Sequence, residues 1–226
     1  MATYPHQIAA AIIEPVQSEG GDNHASPTFF KGVRELTKKH GVLLIVDEVQ
    51  CGGGGSGKIW LHQHYGITPD IMTFSKKMQN AGFFFHDPAI AGDQPSRQFN
   101  TWFGDPSKAL IARTIIHEIK KNHLLDEVTK TGEYLYTKLD AIRKKHLKLM
   151  INLRGQHRGF FVGFDLPTVE LRDKFIYTCR QKGLNLGGCG DKAVRLRPAL
   201  VFQPKHVDIL ARIMEESFDV LENEKN

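Results

Sequence analysis

Three short apolar runs organise the first 76 residues of this chain, at positions 9–13, 42–46 and 71–74. Each run is four or five residues long and is closed by charged or polar residues. That is the length of a buried strand and far below the ~18 residues that a membrane-spanning helix needs. The runs are continuously apolar instead of alternating, which is typical of strands in a parallel sheet covered on both faces.

Helix signals fill the interval between the first two runs. Ser26 is a good N-cap, Pro27 fits the first turn, and Gly41 can adopt the left-handed conformation that ends a helix. Spacing places three apolar residues on one face of this helix: Phe29, Val33 and Leu36. Strand, helix and strand in this order predict an α/β fold with a mostly parallel sheet.

The pattern changes in the second half of the chain. Long helical stretches run from Asp105 to about residue 150, and strands at 159–164 and 194–198 then alternate with helices at 171–182 and 207–221. This change predicts a domain boundary near residues 135–150, followed by a smaller α+β domain.

Composition excludes several classes of protein. The chain is 41% hydrophobic and 24% charged, which is unlike a disordered sequence, and three cysteines are too few for a disulfide scaffold. The net charge of +5 comes from lysines scattered over helical patterns without an aromatic platform, so we expect no nucleic-acid partner. We also expect no membrane partner, and the first six residues do not resemble a targeting leader.

Polar side chains follow the three predicted strands. Glu14 follows the first, Asp47 the second with Gln50 close behind, and Lys76 the third. Ligands of open parallel sheets bind outside the carboxyl ends of the strands, so these residues are candidates for a site. Glu14 is equally suited to capping the next segment.

Two interpretations of Asp47 and Lys76 remain open at this stage. The two residues can form a salt bridge, or they can hold a cofactor between them. Pyridoxal phosphate needs such a pair, a lysine that binds it covalently and an acid that faces its ring nitrogen. Spacing alone does not decide between Lys76 and its neighbour Lys77.

A competing motif for nucleotide binding lies at residues 52–58, which read Gly-Gly-Gly-Gly-Ser-Gly-Lys. Ile59 stands where a Ser or Thr would bind Mg²⁺, and the acidic strand runs directly into the loop. A flexible loop beside the site is the preferred interpretation.

The remaining candidates are weaker. His62 and His64 have no zinc-binding partners at a familiar spacing, and Cys179 and Cys189 are too far apart for a C-x-x-C motif, so no metal site is predicted. Arg195 alternates with apolar residues ahead of Arg197, which places both guanidinium groups on one strand face. They fit either a carboxylate-bearing ligand or an ordinary surface pair.

Five ordered motifs resemble the class III pyridoxal-phosphate-dependent aminotransferases. The motifs are Ile-Glu-Pro-Val-Gln-Ser-Glu-Gly-Gly at 13–21, Leu-Ile-Val-Asp-Glu-Val-Gln at 44–50, Thr-Phe-Ser-Lys-Lys at 73–77, Phe-Asn-Thr-Trp-Phe-Gly-Asp-Pro at 99–106 and Val-Arg-Leu-Arg-Pro at 194–198. The resemblance implies the C-terminal part of a fold-type I enzyme. Residues 1–140 would then be part of the large cofactor domain, and residues 141–226 the small domain.

The resemblance also implies roles in binding pyridoxal 5'-phosphate. Lys76 would bind the cofactor covalently and carry the proton in catalysis, while Asp47 would face the pyridine nitrogen and Gln50 the ring hydroxyl. Thr101 would reach the cofactor phosphate of the partner subunit, which implies a homodimer.

The implied substrates are a small-molecule amino donor, 4-aminobutyrate or a related ω-amino acid, and the acceptor 2-oxoglutarate. Arg195 would bind the α-carboxylate of glutamate or 2-oxoglutarate. Glu14 would pair with Arg195 when the donor has no such carboxylate, and Glu19 would lie near the substrate.

Members of this family are nearly twice as long as the 226 residues here. We therefore expect a C-terminal portion, without the phosphate loop or the arginine for the distal substrate carboxylate. The alternative is a non-catalytic truncated homologue that associates with a full-length subunit. The resemblance implies the mitochondrial matrix, with the cytoplasm as the alternative.

Overall fold

The computed structural model describes residues 7–99 and 101–223. These residues form two compact units. The first unit comprises residues 7–15, 25–53 and 60–122, and the second comprises 16–24, 54–59 and 123–223.

The first unit contains four strands and two helices. They are β1 (Ala10–Ile13), α1 (Pro27–Lys39), β4 (Leu43–Asp47), β5 (Ile71–Phe74), β6 (Gly82–Phe85) and α2 (Pro106–Lys121). The sheet order is β1-β4-β5-β6, in which β1, β4 and β5 are parallel and β6 is antiparallel to β5. The predicted α/β fold with a mostly parallel sheet is confirmed.

Local sequence explains the bounds of α1. Ser26 accepts a hydrogen bond from Phe29 N, Pro27 opens the helix, and Gly41 follows it with a φ of 64°. Phe30 is buried and stacks on Tyr65 at 4.1 Å between ring centroids. Phe29 and Leu36, two of the three apolar residues that share a face, are each 49% exposed.

The second unit is an α+β structure. It contains β2 (Val16–Gln17), β3 (Asn23–His24), α3 (Leu124–Lys145), β7 (Ile151–Arg154), β8 (Val162–Asp165), α4 (Val169–Gln181), β9 (Gly187–Cys189), β10 (Ala193–Leu196) and α5 (Pro204–Asn223). An antiparallel sheet of order β7-β8-β10-β9 packs with α3, α4 and α5 around Phe164, Phe175 and Phe218. Strands β2 and β3 pair separately.

The domain boundary expected between residues 140 and 141 stays a prediction, because it refers to domains of a longer fold. None of the helices in the part of the chain described here is long and apolar enough to cross a membrane.

Candidate active site

Three polar side chains follow adjacent strands at the carboxyl edge of the first unit's sheet. Ile13 of β1 is in register with Val46 of β4, so Glu14 and Asp47 follow at the same level. Asp47 is in turn in register with Thr73 of β5. Lys76 follows Thr73 by three residues. The structure therefore brings Glu14, Asp47 and Lys76 to one edge of the sheet, where parallel folds bind ligands.

Asp47 is half-buried at the end of β4 and accepts a hydrogen bond from Val49 N at 3.0 Å. Its cross-strand partner Thr73 has a buried Oγ1 for which the described residues offer no hydrogen-bond partner. A buried hydroxyl without a partner is costly unless a ligand or water satisfies it. A carboxylate and an unsatisfied hydroxyl on one face fit a ligand with a polar ring. Gln50 follows in the next turn and is half-buried.

The two adjacent lysines have different surroundings. Lys77 Nζ donates to the backbone oxygens of Gln50 at 2.5 Å and Gly52 at 3.4 Å, so it holds the turn after β4. Lys76 is exposed, and within residues 7–99 and 101–223 no ion pair joins it to Asp47. Its φ is 45°, in the left-handed region that disfavours residues with a side chain. Strain of this kind is concentrated at functional sites.

Glu48, the residue after Asp47, has a structural role that sequence reasoning missed. Its side chain is fully buried and accepts hydrogen bonds from Leu61 N at 3.0 Å and from His62 N at 2.7 Å. His62 Nδ1 lies 2.9 Å from the same carboxylate and must donate to it. Glu48 thus caps the 3₁₀ turn Leu61–Tyr65, and nothing in the spacing separates its role from that of Asp47.

The glycine-rich stretch is closely packed, and its predicted flexibility stays a prediction. Residues 51–56 are buried, and Lys58 is exposed. Gly57 has a φ of 82°, and a Cβ at this position would lie 2.2 Å from Thr129 Oγ1. In the part of the chain that the structure describes, no α-helix begins between Lys58 and Pro106. A phosphate-binding loop needs the N-terminus of a following helix, so the nucleotide-binding interpretation loses its support.

Arg195 in the second unit forms an ion pair with Glu19. Its Nη1 lies 2.9 Å from Glu19 Oε1, and the side chains are 20% and 69% exposed. The turn after β2 carries Glu19 to β9 and β10, where its carbonyl also accepts from Gly190 N. The resemblance implies Glu14 as a partner of Arg195 when the donor is 4-aminobutyrate, and that pairing stays a prediction. Glu14 follows β1 in the first unit.

Arg197 has a different environment from Arg195. It forms an ion pair with Asp22, whose side chain is fully buried, and its guanidinium lies 4.1 Å from the centroid of the Phe161 ring. Arg154 donates to the backbone oxygens of Gly21 and Asp22. These contacts indicate a structural role for Arg197.

His24 lies beside this arginine cluster in the second unit. Its Nε2 is buried without a hydrogen-bond partner among the residues described. Burial, helped by the positive charges of Arg197 and Arg154, lowers the pKa of His24 to about 3. His24 is therefore neutral at physiological pH.

Thr101 lies in an exposed turn of the first unit, beside large exposed aromatic side chains. Phe99 is 75% exposed, Trp102 71% and Phe103 67%. The cysteines have no catalytic surroundings, since Cys51, Cys179 and Cys189 are all buried free thiols. Burial raises the pKa of Cys179 to about 11.

The sequence profile described as aminotransferase class-III matches residues 2–218. The chain belongs to the class III aminotransferases. These enzymes and their structural neighbours depend on pyridoxal phosphate.

Curated relatives include the 4-aminobutyrate aminotransferase of Emericella nidulans, 51% identical over 211 residues that make up 92% of this chain and 42% of that protein. The mitochondrial 4-aminobutyrate aminotransferase of Sus scrofa is 46% identical over 211 residues, which make up 92% of this chain and 42% of that protein. Among solved structures, the lysine aminotransferase of M. tuberculosis has a TM-score of 0.90 and 33% identity, covering 97% of this chain and 51% of that one. The chain thus spans about half the length of the curated relatives it matches.

Proposed function

We propose that this protein transfers the amino group of 4-aminobutyrate, or of a related ω-amino acid, to 2-oxoglutarate, giving succinate semialdehyde and glutamate. The observation that carries the proposal is the alignment of Glu14, Asp47 and Lys76 on adjacent strands of a class III chain. The names of the relatives, all 4-aminobutyrate aminotransferases at 46–51% identity, support the substrate.

Pyridoxal phosphate, when bound, supplies an electron sink for the amino carbon of the substrate. Lys76 would bind the cofactor through Nζ and then move a proton at that atom. Lys77 is the poorer candidate, because its ammonium group already donates to two backbone carbonyls. Asp47 would hold a positive charge on the ring nitrogen, while Gln50 would donate to the ring hydroxyl. The unsatisfied Thr73 Oγ1 beside Asp47 supports a polar ligand there.

Arg195 and Glu19 would select between the two amino donors. A surface ion pair contributes only about 0.2–1 kcal/mol, and Glu19 is 69% exposed, so a substrate carboxylate can displace it. Glutamate and 2-oxoglutarate carry an α-carboxylate, and Arg195 would bind it after releasing Glu19. The amino carbon of 4-aminobutyrate carries no carboxylate, so Arg195 would then stay paired with an acidic side chain. That partner would be Glu19, as in the structure, or Glu14, as the resemblance implies.

We infer that two copies of the protein assemble through the surface around Thr101. The exposed Phe99, Trp102 and Phe103 form an apolar stretch that a second copy would remove from water. In this arrangement Thr101 would donate to the cofactor phosphate of the partner subunit. Light scattering of wild-type and Trp102→Ser protein tests this inference, and a monomeric wild type would contradict it.

For the whole protein we propose the mitochondrial matrix. The Sus scrofa and Mus musculus relatives are named mitochondrial, whereas the fungal names specify no compartment. Fractionation of source cells with an antibody to this chain would test the assignment, and a signal confined to the cytosol would overturn it.

Reduction with borohydride in the presence of pyridoxal phosphate tests the cofactor site. Peptide mapping should place the stable adduct at Lys76, with none in Lys76→Met and an undiminished one in Lys77→Met. An adduct at Lys77, or one spread over surface lysines, would refute the assignment. No adduct at all in folded protein would favour the non-catalytic homologue.

A further inference from the structure

A buried histidine faces two carboxylates at one end of the second unit. His146 follows α3, and Asp219 and Glu222 lie three residues apart on α5, on the same side of that helix. One ligand atom from each of the three residues lies within 4.8 Å of the others. None of the three has a role in the proposed transamination.

The imidazole of His146 lacks the partners that a buried polar ring requires. Its side chain is 4% exposed and stacks on Phe218 at 5.2 Å between ring centroids. Neither Nδ1 nor Nε2 forms a hydrogen bond among residues 7–99 and 101–223. Buried polar atoms are almost always satisfied, and this ring has only unaligned carboxylates beside it, so a ligand would complete its bonding.

The carboxylate oxygens are close to the ring but are not aligned with it. Glu222 Oε1 lies 3.1 Å from Nδ1, and Asp219 Oδ1 lies 3.8 Å from Nε2. A metal ion bound to imidazole lies along the lone-pair direction of the ring nitrogen. The other ligands of that ion therefore lie to the side of this direction. One ion binds only one ring nitrogen, and with bonds of about 2.1 Å two tetrahedral ligands are about 3.4 Å apart, close to the 3.1 Å between Nδ1 and Glu222 Oε1. Asp219, which lies nearer Nε2, would have to turn toward the same ion.

We propose that His146, Asp219 and Glu222 bind a divalent transition-metal ion of the zinc class. The imidazole nitrogen selects against Ca²⁺ and Mg²⁺, which prefer ligand sets made only of oxygen. Asp219 and Glu222 are 60% and 44% exposed, so they can close on the ion while water completes its coordination. The ion would link the end of α3 to the last turns of α5. The sequence contains no signal for this site, because the histidine is more than 70 residues from the carboxylates.

Calorimetric titration of the protein with ZnCl₂ at pH 7.5 tests the site. We expect one saturable site per chain, and at least tenfold weaker binding in Asp219→Asn, Glu222→Gln and His146→Gln. Glu216→Gln is the matched control, since this α5 carboxylate pairs with Arg212 and Lys182 instead. Titration with MgCl₂ or CaCl₂ should give no saturable heat.

The two carboxylate variants keep the test decisive even if His146→Gln fails to fold, because both side chains are partly exposed. Circular dichroism would show that these variants are folded. Absence of a saturable zinc site would overturn the proposal. So would a site whose affinity is the same in wild type, Asp219→Asn and Glu222→Gln.

Discussion

Replacing Glu48 by Gln should destabilise the first unit without altering its shape. The carboxylate is fully buried and satisfies two backbone N–H groups and one imidazole N–H of the 3₁₀ turn Leu61–Tyr65. Gln has one oxygen in place of two. If that oxygen stays with His62, the amide NH₂ faces the N–H of Leu61, and two donors meet.

The magnitude follows from these contacts. Leaving one buried N–H unsatisfied costs about 1–3 kcal/mol, and replacing the charge on the remaining acceptor weakens its bonds by about 1 kcal/mol. We therefore expect Glu48→Gln to lower the free energy of unfolding by about 2–4 kcal/mol.

Urea denaturation followed by tryptophan emission is the appropriate assay. Both tryptophans, Trp60 and Trp102, belong to the first unit, and Trp60 directly precedes the capped turn. Glu35→Gln is the matched control on the exposed side of α1, where we expect a change below about 0.5 kcal/mol. A Glu48→Gln midpoint indistinguishable from that of Glu35→Gln would refute the capping role.

Three further predictions concern packing, pH and thiol chemistry. Gly132→Ala places a Cβ 2.6 Å from the backbone of Gly159, so it should lower the free energy of unfolding by about 1–3 kcal/mol. The control Gly32→Ala meets no atom within 4 Å and should raise that free energy by about 0.5–1 kcal/mol, and thermal melts of the two variants would measure both changes. The pKa of His24 is about 3 in the folded protein and about 6.5 in the unfolded chain, so the unfolded chain takes up a proton first as the pH falls below 6.5. The free energy of unfolding should therefore drop by about 2 kcal/mol at pH 5. Urea midpoints by circular dichroism at pH 7.5 and 5 should show this loss in wild type and not in His24→Phe; equal losses would disprove it. Ellman's reagent at pH 8 should find no reactive thiol in native protein and three after denaturation, since Cys51, Cys179 and Cys189 are buried; rapid native labelling of Cys179 would contradict its raised pKa.

Features encoded by neighbouring residues were predictable from the sequence. The run at 42–46 corresponds to β4 at Leu43–Asp47, and the Ser26 and Gly41 signals bracket α1 as expected. A cap or an apolar run acts over a few residues, so its interpretation does not depend on the rest of the fold. The same holds for the residues after each strand, which the parallel pairing brings to one edge.

Contacts between distant residues were not predictable in this way. Glu19 and Arg195 are 176 positions apart, and the turn after β2 is what brings Glu19 to the arginine. The packing face of α1 likewise depends on Tyr65, which stacks on Phe30 and leaves Phe29 exposed. Strand β6 contains three consecutive phenylalanines, but its antiparallel pairing with β5 cannot be read from that short run.

The left-handed backbone at Lys76 has a consequence for how this position evolves. A φ of 45° costs a lysine roughly 1 kcal/mol relative to glycine, and asparagine tolerates the conformation better. A substitution of Lys76 by Gly or Asn would therefore relieve strain and gain stability. If Lys76 binds the cofactor as proposed, only the need for its amine opposes that gain, so a lineage that has lost transamination should lose this lysine early.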